Sequence, residues 1–484
     1  MFPAHVRVLL TAATALLVAR IAAAQCPDGT PPPCGPARAA TPRIQVLEFQ
    51  AEDSAHAYVA SGLAEDIRSA LLALHAVVVV SPRAGRAAAD YVLTGSVRRA
   101  ADGVVVACGL ERAGTGRIVW TTRVGRTGRE LPAIAPLLAR DAVRSLGLAI
   151  AAGPPPAEAD PATYDLVMRA RYLTARRTEP AMARAVALAR EAIARDSLSP
   201  LGWVSLAHAL ERANVFRFRL PGLSSEGIKA LAVQATERAA ELAPTDPDVR
   251  LLQAEIGQRV VEPTSRTASM RIYREILASD SLNGDAWLQL GMNFLETGED
   301  AAALAALRRA AAVEPENSEK LTFLGEGFFL TRRYDSAAAW LGRAVAADPT
   351  YMLARANGGQ AALWRGRFDE AQAQFEAADR LALSPQDRPG LLELARVMVA
   401  RGDTAGARAY VAGAAALADT VSPGVHQAPA LADGYLAIGD TARAFWWLQR
   451  YQPRRDVHFQ MHLRDEPAFD GIRQDPRFLA LVAP

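Results

Sequence analysis

The chain has 484 residues and half of them are hydrophobic, so it is long enough for more than one domain and too apolar to be largely disordered. Its net charge is only +2, and just two of its 54 basic residues are lysines. The basic residues spread along the sequence instead of forming a concentrated face, which argues against nucleic-acid binding.

The first residues have the features of an export signal. A basic start at His5 and Arg7 precedes the apolar residues 8–19, and Ala22–Ala24 supply small residues for cleavage. We therefore predict a signal peptide at residues 1–24 and a periplasmic or secreted protein. The apolar stretch is short for a membrane span, yet an uncleaved inner-membrane anchor through residues 8–19 stays open.

Two of the three cysteines lie in a proline-rich linker at residues 25–41. Cys26 and Cys34 enclose Pro-Asp-Gly-Thr-Pro-Pro-Pro, and in an exported chain a disulfide between them is the simplest interpretation. Lipid attachment at Cys26 also stays open, although Gln25 stands where bacterial lipoprotein sites need a small residue. Cys108 lies in a strand-like run and is expected to be a buried small hydrophobic residue.

Residues 42–148 have the pattern of a small α+β domain. The predicted elements, in chain order, are a strand at 44–49, a helix at 57–74, a β-branched run at 76–81, strands at 90–99, 103–112 and 116–125, and a helix at 131–146. This order predicts a βαβ unit, then a β-meander, then a closing helix.

Several of these residues resemble the TolB-like amino-terminal domain that bacterial regulators carry beside arrays of tetratricopeptide repeats (TPRs). The matching segments are Val46–Phe49, Ser61–Ile67, Tyr91–Arg99 and Gly114–Trp120. The resemblance implies an α+β fold with a binding role, without naming a ligand. This chain departs from the family between Ser81 and Asp90, where the sequence is shorter than usual and a helix is expected to be missing.

After a Pro/Ala linker at residues 149–160, a pattern returns every 34 residues. Its small and large apolar positions are filled in turn by Leu290, Gly291, Ala303 and Leu307, by Leu324, Gly325, Ala337 and Leu341, and by Gly359, Ala371 and Phe375. This spacing resembles the TPR family, which implies two antiparallel helices per repeat. We follow the pattern over residues 161–451 as seven to eight units of an all-α superhelical solenoid.

The repeat fades in residues 452–484. The apolar residues of this segment are Phe469, Ile472, Phe478 and Leu481. We predict that they cap the open end of the solenoid, which would otherwise expose an apolar face. His458 and His462 stand four residues apart on one helical face, but two histidines alone are weak metal ligands. We predict neither a metal site nor a cofactor.

In TPR arrays the first helix of each repeat lines the concave face, and this rule identifies a candidate partner groove. Its residues are Leu288, Met292, Leu295, Glu326, Phe329, Leu330, Gln360, Leu363, Trp364, Leu392 and Arg396. The surface is apolar and mixed, and it lacks the lysines of a carboxylate clamp. It therefore fits an amphipathic helix or an extended apolar peptide. A rival interpretation is that the C-terminal segment fills this groove in the same chain.

The sequence contains no phosphate-binding loop, nucleophile elbow or zinc signature of familiar spacing, so we do not predict an enzyme. The leading hypothesis is a non-enzymatic, exported scaffold whose TPR groove binds a partner protein or peptide. Peripheral association with a membrane stays open. The alternative is an envelope signalling regulator whose N-terminal domain senses a small ligand or a lipid.

Overall fold

The computed structural model describes residues 41–484, except 54–55, 83–87, 101–102, 128–129, 151–159, 177, 216–217, 261–263, 382–392, 421–426, 451–456 and 483–484. The predicted signal peptide, the predicted disulfide between Cys26 and Cys34, and the groove residue Leu392 lie outside the described residues. Within the described part of the chain, no helix combines the length and the apolarity that crossing a membrane requires.

The described part of the N-terminal domain contains one twisted sheet. Its strands are β1 (Arg43–Val46), β2 (Gln50–Ala51), β3 (Val78–Val80), β4 (Tyr91–Ala100), β5 (Gly103–Arg112) and β6 (Ile118–Thr127). The order is β3-β1-β4-β5-β6, with β2 also beside β4. β1 runs parallel to β3, to which a helix connects it, and also parallel to β4. β4, β5 and β6 form an antiparallel meander.

Two helices, α1 (Ala57–Ala73) and α2 (Leu131–Ser145), contact each other and pack on the sheet. Ile67, Leu93 and Leu138 are fully buried between these layers. The predicted order of strands and helices is therefore confirmed. Cys108 is also buried, at 4% exposure, and is unpaired, as expected.

The first predicted strand, residues 44–49, is too long, because β1 ends at Val46 and residues 47–49 lie outside the strands. Val46 pairs with Leu93 and Gln50 with Ser96, so four steps along this segment match three steps along β4. One extra residue therefore bulges out of the ladder and separates β1 from β2.

Sixteen helices follow in the described part of the array and form eight pairs. They are α3 (Pro161–Ala175) and α4 (Glu179–Arg195), α5 (Pro200–Val215) and α6 (Ser225–Leu242), α7 (Pro247–Val260) and α8 (Thr264–Ser279), α9 (Gly284–Thr297) and α10 (Asp300–Val313), α11 (Ser318–Leu330) and α12 (Tyr334–Ala347), α13 (Met352–Trp364) and α14 (Phe368–Leu381), α15 (Glu393–Ala400) and α16 (Thr404–Thr420), and α17 (Gln427–Ala437) and α18 (Thr441–Arg450). The chain is thus an α+β domain followed by an all-α TPR solenoid.

In three of the described pairs, a glycine of the first helix packs directly against a large side chain of the second helix. A Cβ atom added at Gly291 would lie 2.7 Å from Cγ of Leu307, and one added at Gly325 would lie 2.6 Å from Cγ of Leu341. Thirty-four residues later, a Cβ at Gly359 would lie 2.5 Å from the ring of Phe375. The 34-residue period therefore records one packing contact that each of these pairs repeats.

The N-terminal domain contacts the array near its first helix pair and again further along. Near the first pair, Tyr164 of α3 donates a hydrogen bond to Asp66 of α1 (3.1 Å), and Arg171 pairs with the same carboxylate at 2.7 Å. Further along the array, Arg43 of β1 forms an ion pair with Glu316, in the turn after α10, at 2.7 Å. His75, after α1, also lies near Asp280, after α8, with its Nε2 3.9 Å from Oδ1. These contacts join the sheet domain to both the start and the middle of the solenoid.

The close helix approach predicts opposite effects for two glycines of the same repeat. Gly325→Ala should lower the free energy of unfolding by roughly 1–3 kcal/mol, because the new methyl group overlaps Leu341. Gly342→Ala should raise it by up to about 1 kcal/mol, because nothing lies within 4 Å of the new methyl group and alanine favours the helix. Thermal and denaturant unfolding of both variants measure this; equal effects would contradict the packing contact.

Candidate functional site

The candidate groove is the face formed by the first helices of the pairs. α9 contacts α11, and α11 contacts α13, so these first helices lie side by side. The described candidate residues all lie on α9, α11, α13 and α15. Seven of them are buried: Leu288, Met292, Leu295, Glu326, Phe329, Leu330 and Leu363. Other parts of the protein therefore cover these seven side chains.

The C-terminal segment covers the first part of the groove. Helix α19 (Val457–Asp465) contacts α9, and Met461 is fully buried in one apolar cluster with Leu288, Met292 and Phe329. The rival interpretation from the sequence is therefore confirmed for this part of the face. The groove binds a short helix, and in this structure that helix belongs to the same chain.

Two arginines fix the segment in place. Arg464 of α19 donates hydrogen bonds to the carbonyl oxygens of Leu295 (2.6 Å) and Glu296 (3.1 Å), near the C-terminal end of α9, where the helix dipole favours a cation. Arg332, which follows α11, donates to both carboxylate oxygens of Asp470 at 2.8 and 3.1 Å. Such a paired contact is directional, so it sets the position of the segment as well as holding it.

Arg332 occupies a backbone position that other repeats give to glycine. Gly298, Gly366, Gly402 and Gly439 follow the first helices of their pairs with φ between 71° and 89°, whereas Arg332 has φ of 63°. A side chain in the left-handed region costs about 1–2 kcal/mol relative to glycine. The backbone conformation of Arg332 therefore costs free energy, and the side chain of the same residue holds Asp470.

The rest of the C-terminal segment lies against the last helix pair. A 3-10 helix (Pro467–Ile472) and α20 (Pro476–Val482) follow α19. The predicted capping residues Phe469, Ile472, Phe478 and Leu481 are buried there in one cluster with Leu431, Tyr435 and Leu448 of α17 and α18. The segment thus occupies the groove with its first helix and lies over the last pair with the remainder.

Of the two histidines singled out by their spacing, the side chain of His458 lies outside the described residues. Nδ1 of His462 lies 2.8 Å from Oε1 of Glu466. No group of three or more His, Cys, Asp or Glu side chains that could hold a metal ion occurs in the described parts of the chain.

A cavity of about 120 Å³ lies between the groove face of α11, α13 and α15 and the C-terminal segment. The groove contributes Leu363, the rings of Phe329 and Trp364, and the polar side chains of Gln360, Glu393 and Arg396. The last pair and the C-terminal segment contribute Pro429, Ala430, Asp433, His462, Glu466, Pro467 and Ala468. The candidate groove residues Gln360, Trp364 and Arg396 therefore come together here.

An ion pair and an aromatic contact organise the cavity wall. Nε of Arg396 donates to Oδ1 of Asp433 at 2.9 Å, and its Nη2 donates to the same oxygen. The guanidinium also lies 5.6 Å from the ring centre of Trp364, a cation–π distance. Trp364 in turn stacks on Tyr334, with ring centres 6.4 Å apart. Both contacts hold Arg396 in the wall, toward Asp433.

Glu393 also lines the cavity. Its Oε1 accepts a hydrogen bond from Gln360 at 3.3 Å, whereas its buried Oε2 has no hydrogen-bond partner among the described residues. Burial, reinforced by the nearby Asp433 and Glu466 carboxylates, raises the pKa of Glu393 to about 8. Burial also raises the pKa of Asp433, with Arg396 opposing it.

The sequence pattern identified part of this site and missed the rest. Gln360, Trp364 and Arg396 follow from their place on the concave face of first helices. Glu393 stands three residues before Arg396 on the same helical face, and that spacing is the one signal that could have added it. Asp433 and Glu466 carry no such signal, because only the folded segment and the last pair bring them to the groove.

No protein-family model and no curated protein sequence matches the chain. Among solved structures it is similar to MamA, with 20% identity and a TM-score of 0.28, over 33% of this chain and 91% of that one. It is also similar to a thermophilic TPR protein of Thermus thermophilus, with 20% identity and a TM-score of 0.34, over 42% of this chain and 98% of the other.

A third similar structure is the human IFIT1 dimer with m7Gppp-AAAA, at 13% identity and a TM-score of 0.40, over 66% of this chain and 79% of that one. Because all three TM-scores lie below 0.5, we draw no functional inference from these similarities.

The raised pKa of Glu393 predicts a pH dependence of stability. The folded state holds this proton up to about pH 8, whereas the unfolded chain releases it near the ordinary value of 4.5. Between these values the folded state binds more protons, so its stability should fall as pH rises, by up to about 1.4 kcal/mol per pH unit. Glu393→Gln should remove this slope in thermal unfolding from pH 5 to 8.

The matched control is Glu370→Gln, which removes an exposed carboxylate on α14. It should keep the wild-type slope. An identical pH profile for wild type and Glu393→Gln would show that the carboxyl group titrates normally and would contradict the prediction.

Proposed function

We propose that this protein is a non-enzymatic, exported scaffold whose concave groove binds an amphipathic helix of a partner protein. One observation carries the proposal: a short helix of the chain, α19, already lies in the groove with Met461 fully buried against Leu288 and Met292. A groove that holds a helix by an apolar side chain and by the last carbonyls of α9 has the chemistry of helix-in-groove recognition.

The segment that fills the groove would act as a tethered competitor. A tethered segment has an effective concentration on the order of millimolar, so a partner helix must bind more tightly than the segment or must bind where the segment is absent. Around Trp364 and Arg396 the segment already lines the groove with His462, Glu466, Pro467 and Ala468. A partner helix would therefore have to displace the segment there as well.

The export part of the proposal rests on residues 1–24, with their basic start, apolar stretch and alanine-rich end. Sequencing the mature N-terminus tests it. A chain that starts at Gln25 supports export to the periplasm or beyond, whereas an intact Met1 supports an inner-membrane anchor. The TolB-like identity of residues 42–148 is part of the same proposal and rests on the quoted sequence segments together with the observed order of strands and helices.

The groove itself is tested in the full-length protein with Met461→Asp. A carboxylate cannot remain in the apolar cluster without a large desolvation cost, so α19 should leave the groove. A fluorescent peptide of residues 457–482 should then bind the variant at least tenfold more tightly than the wild type, measured by fluorescence anisotropy. The wild type competes with its own segment.

The matched control is Leu479→Asp, since Leu479 lies on α20 and is 50% exposed. It should bind the peptide as weakly as the wild type does. A folded Met461→Asp variant that binds no peptide would contradict the proposal, because the vacated groove would then have no affinity for a helix in trans.

A second candidate function is a signalling regulator that relays ligand binding from the N-terminal domain to the array. The observation that favours it is the set of contacts between the domain and the array, among them Asp66 with Tyr164 and Arg43 with Glu316. Ligand-dependent thermal shifts of the full-length protein across a panel of metabolites and lipids would support it. Arg43→Ala and Asp66→Asn break these contacts and leave the groove unchanged. If the ligand-dependent thermal shifts persist in both variants, the contacts do not transmit ligand binding, and this would count against a relay.

A further inference from the structure

The cavity beside Trp364 has a size that suits a small organic group. Its volume is about 120 Å³, slightly below the roughly 150 Å³ of a protein cavity that holds benzene. Two aromatic rings, Phe329 and Trp364, and the prolines at 429 and 467 line part of it. An organic group of this size can therefore place an apolar stem against Phe329 and Trp364. Its polar end then faces the carboxyl groups that also line the cavity.

The charges around the cavity are unbalanced. Three carboxyl groups, those of Glu393, Asp433 and Glu466, line it together with one guanidinium, that of Arg396. The guanidinium is already engaged by Asp433, and His462 by Glu466. With His462 neutral and all three carboxyl groups ionised, the formal charge of the cluster is −2. An anion is therefore disfavoured, and a single positive charge is complementary.

Oε2 of Glu393 supplies an independent reason to expect a ligand. This oxygen is buried and has no hydrogen-bond partner in the described residues, and a buried unpaired acceptor costs about 1–3 kcal/mol. A donor placed in the cavity would satisfy it. No group of three or more His, Cys, Asp or Glu side chains in the described residues could hold a metal ion, and the donor we expect is therefore organic.

We propose that this cavity binds a small organic cation, an alkylammonium or alkylguanidinium group whose N–H groups donate to Oε2 of Glu393. Glu466 contributes a second carboxylate, and Phe329 and Trp364 contact the stem of the cation. The raised pKa of Glu393 agrees with this arrangement. Without a ligand the carboxyl group keeps its proton, and a bound cation would take the place of that proton.

The site goes beyond the helix-binding function, since a free amine can fill it without any partner protein. The same chemistry can also come from a lysine or arginine side chain of a partner helix. Both sources present an N–H donor on an alkyl stem, so the cavity chemistry is shared and the experiment must separate them.

The test is isothermal titration calorimetry on the full-length protein at pH 8.5. The probes are n-butylammonium and n-butylguanidinium, with n-butanol as the neutral control and butyrate as the anionic control. We expect at least one cation to bind at least tenfold more tightly than n-butanol, and butyrate not to bind. Equal binding of the cations and n-butanol, or preferred binding of butyrate, would overturn the proposal.

Glu393→Gln keeps the shape of the side chain and removes its charge. It should weaken binding of the cation at least tenfold, whereas the control Glu370→Gln should not change it. If Glu393→Gln does not fold by circular dichroism, Glu466→Gln provides the second variant, with an expected loss of threefold or more. Wild-type affinity in the folded cavity variants would overturn the proposal.

A blocked Ala-Lys-Ala peptide and its norleucine counterpart distinguish the two sources. Tighter binding of the lysine peptide than of n-butylammonium identifies a basic side chain of a partner, and tighter binding of the free amine identifies a small molecule. Both outcomes support the site. Helix binding is measured separately with Met461→Asp, so failure of the cavity proposal leaves the groove proposal standing, and the reverse also holds.

Discussion

The close approach of two helices at a glycine is the contact on which the solenoid depends. At Gly291, Gly325 and Gly359 the first helix of a pair leaves no room for a Cβ atom, because a leucine or phenylalanine of the second helix lies there. Repeating one contact at one interval gives successive pairs similar geometry, so their first helices line up along one face. That face becomes a groove only because the pairs are nearly equivalent.

The groove is then closed in part by its own chain. α19 places Met461 among the apolar side chains of α9 and α11, and Arg464 occupies the carbonyl end of α9. Beyond Met461 the wall becomes polar, with Glu393, Arg396 and Asp433 at the edge of the covered region. The apolar half suits a helix and the polar half suits a cation, so one concave face offers two kinds of chemistry.

Two residues beside the C-terminal segment are energetically unfavourable, one in its backbone conformation and one in its buried carboxyl group. Arg332 adopts a left-handed conformation that the equivalent turns give to glycine, and its side chain holds Asp470. One carboxyl oxygen of Glu393 is buried and has no hydrogen-bond partner among the described residues. Costs of this kind persist where the surrounding packing enforces them, and they are found often at binding sites. Their proximity within one region supports a functional role for the junction of groove and segment.

The sequence alone determined the α+β domain and the helix pairs, because each follows from a local period or from a repeated spacing. Alternation in residues 103–112 predicts a strand, and the interval between Gly291 and Gly325 predicts a repeat. Tertiary structure decided what covers the concave face and which charges meet there. Met461, Asp433 and Glu466 are far from Glu393 in sequence, and no period relates them. Their meeting depends on the path of the C-terminal segment over the assembled pairs, which is set by long-range packing and not by local pattern.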